Sequence, residues 1–275
     1  MVMEMSKRPI ITLLTDFGLR DSYVAEMKAV ILSICPEANI VDISHEVRKF
    51  DIRMGAFLLA RAAKFFPKGT IHLAVIDPGV GTGRRPIIIE TEKSLYVGPD
   101  NGLLMLSAHK DGIRHIYTIV NQKYMLREIS RTFHGRDIFS PAAAYLAKRV
   151  PPSEFGPEIF DPVTPSFAKP KIISKTTIEG EIVHIDDFGN IITNIALDEL
   201  KALGIGEGDA VIVEVGGREL ELKLCKAYAE APPNTPLIIV GSCGFIEISV
   251  NQGEASKFFG VNLGEKISIC KRNLI

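Results

Sequence analysis

From Ile10 onward the chain alternates short, nearly continuous apolar runs with stretches whose apolar residues recur every three or four positions. "IITLLT", "NIVDIS" and "TIHLAVID" have the length and composition of strands, and the third is apolar enough to be covered on both faces. Between them, "DSYVAEMKAVILSICP" and "DIRMGAFLLARAAKFFP" carry helical periodicity, and each stops at a proline. Strand–helix–strand alternation of this kind predicts a mainly parallel sheet with helices on both sides. Further strands are predicted at "PIIIET" and "SLYVG", with a short helix at "GLLMLSAH". A last helix is expected over "GRDIFSPAAAYLAKRV", where Pro141 fits only near a first turn.

The pattern then changes. Six prolines lie between Pro151 and Pro170 with little periodicity, the composition of a linker or surface crossing at a domain boundary. Beyond it, "TTIEGEIVHID", "NIITNI", "AVIVEV", "RELELKL", "PLIIVG" and "FIEISV" read as short strands separated by Gly, Pro, Asn and Asp, with one helical turn or two near "LDELKALG". Such a series suggests a small antiparallel barrel or sandwich. The expected architecture is an α/β domain with a mainly parallel sheet over 1–168, followed by a small all-β barrel domain over 169–275. The length of 275 residues is ample for two hydrophobic cores.

Charge narrows the function classes. Thirty-two basic against thirty-three acidic side chains give a formal charge of −1, so nothing steers the chain globally toward nucleic acid or an anionic membrane. The N-terminus "MVMEMSKRP" lacks the apolar stretch of a signal peptide, and no run reaches the ~20 apolar residues of a membrane span, which predicts a cytoplasmic protein. Cys35, Cys225, Cys243 and Cys270 form no CxxC pair and read as free thiols. The histidines show no metal-ligand spacing, so no metal is expected.

Candidate chemistry sits in the loops. In a parallel α/β sheet ligands bind beyond the carboxyl ends of the strands, where Asp16, Asp42 and Asp77 fall. Asp16 is placed either to accept hydrogen bonds from ribose hydroxyls or to cap a helix, and Asp42 reads as structural. "DPGVGTGRRP" matches neither a Walker pattern nor a dinucleotide fingerprint, and an acid seven residues before Arg84 suits an internally compensated polar site better than a phosphate cradle. In "TFHGRD", His134 precedes a predicted helix; alone it is an ordinary loop histidine, and it gains meaning only if the fold brings it to Asp77 and Arg84. In "IDDFGNIITN", Asp186, Asp187 and Asn190 flank Phe188 and Gly189, a combination that a β-turn with Asx residues explains equally well. "GSCGFIEISVN" allows a tight backbone around Ser242.

Taken in order, "TDFG", "DPGVGTGRR", "FHGRD", "DDFGNIITNI" and "GSCGFIEISVN" closely resemble the S-adenosylmethionine hydroxide adenosyltransferases, formerly domain-of-unknown-function 62, relatives of the fluorinases and chlorinases. The resemblance spans both halves. It implies an α/β domain followed by a β-barrel, a homotrimer with active sites between neighbouring subunits, and cleavage of S-adenosylmethionine to adenosine and methionine by water or hydroxide at C5′. No cofactor is implied, because S-adenosylmethionine is the substrate. Carried over residue by residue, the catalytic set falls on Asp77, Arg84 and His134. Asp16 matches the acid holding the ribose hydroxyls; Phe50, Phe188 and Tyr228 match aromatic positions around the ligand. Asp186, Asn190 and Ser242 match groups holding the methionine end and the adenine. Cys243 departs from the pattern, since fluorinating relatives carry arginine there.

The halogenating relatives have an aromatic residue in place of Asp77. A desolvated carboxylate in the pocket would repel a halide by several kcal/mol, roughly, so Asp77 argues for hydrolysis. The other readings left open are a non-catalytic adenosine or S-adenosylmethionine-binding protein and a metal-using phosphoester hydrolase.

Overall fold

The structure, a computed structural model, describes residues 8–164 and 169–272. The N-terminal segment read above for a leader lies mostly outside the described residues, as does the stretch 165–168 on which the expected domain boundary falls. The chain divides into two compact units, Met1–Pro165 and Ser166–Ile275.

In the first unit the strands are β1 (Ile10–Thr15), β2 (Asn39–Ser44), β3 (Ile71–Val75), β4 (Pro86–Thr91), β5 (Leu95–Pro99) and β6 (Ile113–Thr118). The helices are α1 (Tyr23–Ile34), α2 (Ile52–Ala63), α3 (Met105–Lys110) and α4 (Ser140–Ala147). The sheet order is β2-β1-β3-β5-β4-β6. Pairings among β2, β1, β3 and β5 are parallel, whereas β4 runs antiparallel to both β5 and β6, so the sheet is mixed rather than mainly parallel throughout. The cause is local: three residues link β4 to β5, far too few for the crossover that a parallel pair requires.

Helices cover both faces. Ile11, Leu13, Leu73 and Val97 pack with Met27 and Ile31 of α1 and the alanines of α4. On the other face α2 approaches so closely that a Cβ on Gly55 would overlap Ile76. Every residue of β3 is buried, which explains its unbroken apolar character.

The proline-rich stretch is not a free linker. Phe155 is fully buried, and its carbonyl accepts from Val120 N and Asn121 N, while Pro157 O accepts from Thr118 N at 3.0 Å. Prolines cannot donate, but their carbonyls serve the edge of β6 well.

The second unit is a closed barrel. Its strands are β7 (Lys171–Ile172), β8 (Thr177–Ile185), β9 (Ile191–Ala196), β10 (Ala210–Val215), β11 (Arg218–Cys225), β12 (Pro236–Val240), β13 (Phe245–Val250) and β14 (Lys266–Lys271). Seven strands run β14-β10-β11-β12-β13-β9-β8, and β8 pairs back to β14, which removes the open edges; β7 adds to β8 outside the ring. Short helices α5 (Leu197–Ala202) and α6 (Ala255–Phe259) fill the connections. Alternate residues such as Ile178, Ile182, Val211, Val213, Ile246 and Ile248 form the barrel core.

Candidate active site

The sheet order reverses at β1 and β3: the chain leaves β1 for β2 on one side and returns to β3 on the other. Their carboxyl ends lie side by side, with Thr15 opposite Val75, and this is the crevice where open α/β sheets bind ligands. A cleft of about 260 Å³ opens there, lined among others by Asp16, Lys49, Phe50, Asp77, Phe133 and His134. That is smaller than the ~300–1,000 Å³ of pockets that engulf a drug-sized ligand.

Asp16 is nearly buried, and its Oδ2 accepts from Phe50 N at 2.8 Å while its carbonyl accepts from Lys49 Nζ. It does not cap α1, whose N-cap is Ser22. Phe50 has φ +66, a left-handed conformation disfavoured for an aromatic residue, and the residue is 68% exposed at the cleft. Asp51 follows immediately and caps α2 by accepting from Met54 N at 2.9 Å.

The adjacent arginines part company. Arg84 donates through Nε to both oxygens of Asp77 at 2.9 Å, and through a terminal nitrogen to Oδ2 at 2.5 Å. The same nitrogen lies 2.7 Å from His134 Nδ1, and the guanidinium stands 5.1 Å from the centre of the Phe139 ring. Arg85 instead donates to Asp100 and Asp161, fastening the proline-rich stretch to the end of β5. One arginine completes the cleft's polar network; the other is structural.

Because a guanidinium only donates, His134 Nδ1 must carry a lone pair, which assigns the ring proton to Nε2. Burial, reinforced by the Arg84 cation, lowers the His134 pKa; Asp77 and a hydrogen bond to the Ser130 backbone act in the opposite sense. The ring is neutral near pH 7.

Glycine supplies the contact between the two loops. Gly81 has φ +75, and a Cβ there would overlap the carbonyl oxygen of Arg131, three residues before His134. The loop after β3 therefore rests directly on the backbone leading to the histidine. That segment is braced by Asp137, which is fully buried and accepts from Ser130 N at 2.8 Å and Arg136 Nε at 2.7 Å. Arg136 reaches on to Glu26 of α1. The expected helix at "GRDIF" is a wider π-turn, Gly135–Phe139, running into α4.

Sequence reasoning did not single out an aromatic wall. Phe17, Tyr23 and Phe133 meet with ring centroids 5.1 to 5.7 Å apart, beside His134 in the cleft. The signal was available, since Phe17 lies within "TDFG" and Phe133 within "FHGRD". Asp42 is structural as expected, paired with Lys28 at 2.6 Å and close to His45.

The first unit thus brings Asp16, Phe50, Asp77, Arg84 and His134 together. The remaining candidates belong to the barrel. Asp186 Oδ1 accepts from Phe188 N and Asn190 N, and Oδ2 from Asn190 Nδ2, which makes an Asx-turn. Phe188 at its tip is 78% exposed. Tyr228 is half-exposed, and Ser242 and Cys243 sit in a turn between β12 and β13. Among the described residues no group of His, Cys, Asp or Glu side chains has the arrangement of a metal site, and no helix is long and apolar enough to cross a membrane.

Comparison with known proteins follows the same two units. The family model for the SAM hydroxide adenosyltransferase N-terminal domain matches residues 11–156, and that for the C-terminal domain matches residues 180–268. A protein of Methanocaldococcus jannaschii named (R)-S-adenosyl-L-methionine hydrolase is 38% identical, covering 94% of this chain and 95% of its own length. One of the same name from Thermus thermophilus is 37% identical, covering 93% and 97%. The crystal structure of an uncharacterized conserved protein from Thermotoga maritima superposes with a TM-score of 0.91 at 39% identity, covering 95% of this chain and all of that one.

Proposed function

The chain belongs to the SAM hydroxide adenosyltransferase family, and from that premise we propose that it hydrolyses S-adenosylmethionine to adenosine and L-methionine. The observation that carries this reading is the Asp77–Arg84–His134 network, whose Asp77 and His134 line the same cleft as the ribose-type acceptor Asp16, with Arg84 bridging them from behind. Three of the cleft's charged groups, Asp16, Asp21 and Asp77, are acids, a lining suited to a sulfonium cation and hostile to a halide nucleophile.

A sulfonium leaves as a neutral thioether, so neither a Lewis acid nor protonation of the leaving group is required. Water must lie in line with the C5′–S bond, about 3 to 3.5 Å from carbon. Its oxygen bonds to C5′, the C–S electron pair passes to sulfur, and one water proton must depart. His134 Nδ1 is occupied by Arg84, so we assign the proton to Asp77, whose oxygens keep lone pairs free beside the guanidinium. A strong base is not needed, since the water becomes strongly acidic as its bond to carbon forms. Neutral His134 holds Arg84 in place.

The relatives' printed name specifies the (R)-sulfonium epimer, and we propose the same stereochemical preference here. Removal of an unwanted epimer would explain why a cell destroys this molecule. The small cleft further supports a homotrimer in which a neighbouring barrel supplies Asp186, Phe188, Asn190, Tyr228 and Ser242. Four free cysteines suit the reducing cytosol as its location.

Incubation with each epimer separately, in chloride-containing and chloride-free buffer, tests the proposal by chromatography. Adenosine and methionine should form from the (R)-epimer, and Asp77→Ala or His134→Ala should slow release by roughly 10²-fold or more. Binding without turnover of either epimer would refute the enzyme reading. A 5′-chlorinated nucleoside would refute hydrolysis as the reaction.

A further inference from the structure

Glu247 is a charged side chain with no part in the reaction described above. It lies on β13 between Ile246 and Ile248, which point into the barrel core, so its own side chain leaves by the opposite face. It is nevertheless only 4% exposed. A buried carboxylate is expensive to maintain unless it organises partners.

Two such partners are visible. Tyr228 donates its hydroxyl to Glu247 Oε2 at 3.3 Å, although the tyrosine itself is 41% exposed. The other carboxylate oxygen lies over Gly241, where a Cβ would overlap Oε1 and come within 2.8 Å of Cγ. Gly241 opens the turn closed by Gly244 N to Gly241 O at 2.9 Å, which carries Ser242. One buried carboxylate therefore touches both the aromatic ring and the polar turn. Burial, then Glu247 and then Asp186 raise the pKa of the Tyr228 phenol, which keeps it a donor.

We propose that Glu247 is a positioning residue for the nucleoside, locking the Tyr228 ring and the Ser242 turn into a single preformed surface on the barrel. The proposal rests on the hydrolase reading and deepens it: the barrel's share of substrate affinity depends on a residue that need not touch substrate. Gly241 belongs to the same device, because no other residue leaves room for the carboxylate.

The test compares Glu247→Gln, Tyr228→Phe and the double variant. Glu247→Gln keeps the shape and removes the charge. Adenosine Kd is measured by calorimetry, KM and kcat by adenosine release, and folding by thermal melting. Each single variant should raise Kd and KM about five- to tenfold with kcat little changed, the effect of losing one ordinary hydrogen bond. The double variant should be no worse than the poorer single one, because both act through the same contact. An unchanged Kd in Glu247→Gln, additive losses, or a fall in melting temperature alone would overturn the proposal. If wild-type protein releases no adenosine from S-adenosylmethionine, the functional reading fails instead, while the adenosine Kd still judges Glu247.

Discussion

Replacement of Gly81 by alanine isolates the contact that joins the two loops to which we assign the chemistry. The residue has φ +75, and forcing an L side chain into that region costs about 1–2 kcal/mol. The new methyl would also overlap the Arg131 carbonyl oxygen and stand 3.3 Å from its carbonyl carbon. Both obstacles are backbone atoms, so no rotamer change relieves them; one loop must recede. A displacement on the order of 1 Å in a catalytic group lowers turnover about 10²-fold. Stability should suffer less, with melting lowered by roughly 2–8 °C for a chain of this size. Gly83, two residues away, is the control: no atom lies within 4 Å of a Cβ there, and its φ is not positive. Kinetics of adenosine formation and thermal melting on Gly81→Ala and Gly83→Ala complete the experiment. Wild-type turnover in Gly81→Ala, or equal damage from the two alanines, would show that this contact does not set the position of His134.

The neighbouring arginines should separate cleanly. Arg84→Ala should abolish most turnover, whereas Arg85→Ala should leave kcat within a few-fold and destabilise by about 1–3 kcal/mol, because nearly buried Asp100 loses its charged partner; chemical denaturation and kinetics on both variants check this. His72 provides a pH signature remote from the cleft. Burial lowers its pKa from 6.5 to about 4, so the unfolded chain takes up a proton before the folded one does. His72 should make stability fall as pH drops from 6.5 towards 4, by about 3 kcal/mol in full, and His72→Gln should remove that share of the pH dependence in denaturant melts. Chelator should leave adenosine release unchanged; a loss would revive the metal-using hydrolase.

Much of this arrangement was legible in the chain. Continuous runs such as "TIHLAVID" announce buried strands whatever their partners, and the helices that stop short of Pro36 and Pro67 are punctuated locally. Strand direction was harder. The three-residue link between β4 and β5 already implied a hairpin, but the surrounding βαβ rhythm outweighed it. β6 and β14 escaped notice because "IRHIYT" and "KISICK" mix charges with apolar residues and owe their strand form to a neighbour's edge. The proline-rich stretch read as a linker because local composition does not disclose that a backbone carbonyl will meet β6. At the cleft, the sequence motifs named Asp77, Arg84 and His134, yet only tertiary structure separates the roles of Arg84 and Arg85. Glu247 was hidden inside "GFIEISV", where strand alternation alone makes an acid look solvent-facing.

The protein has no tryptophan. Phe50, held outward at the cleft by Asp16, is therefore a natural place to install a single indole, and Phe50→Trp would report ligand arrival optically against a dark background. Turnover would then be followed continuously in one cuvette, and the arrival of S-adenosylmethionine separated in time from the breaking of its C–S bond.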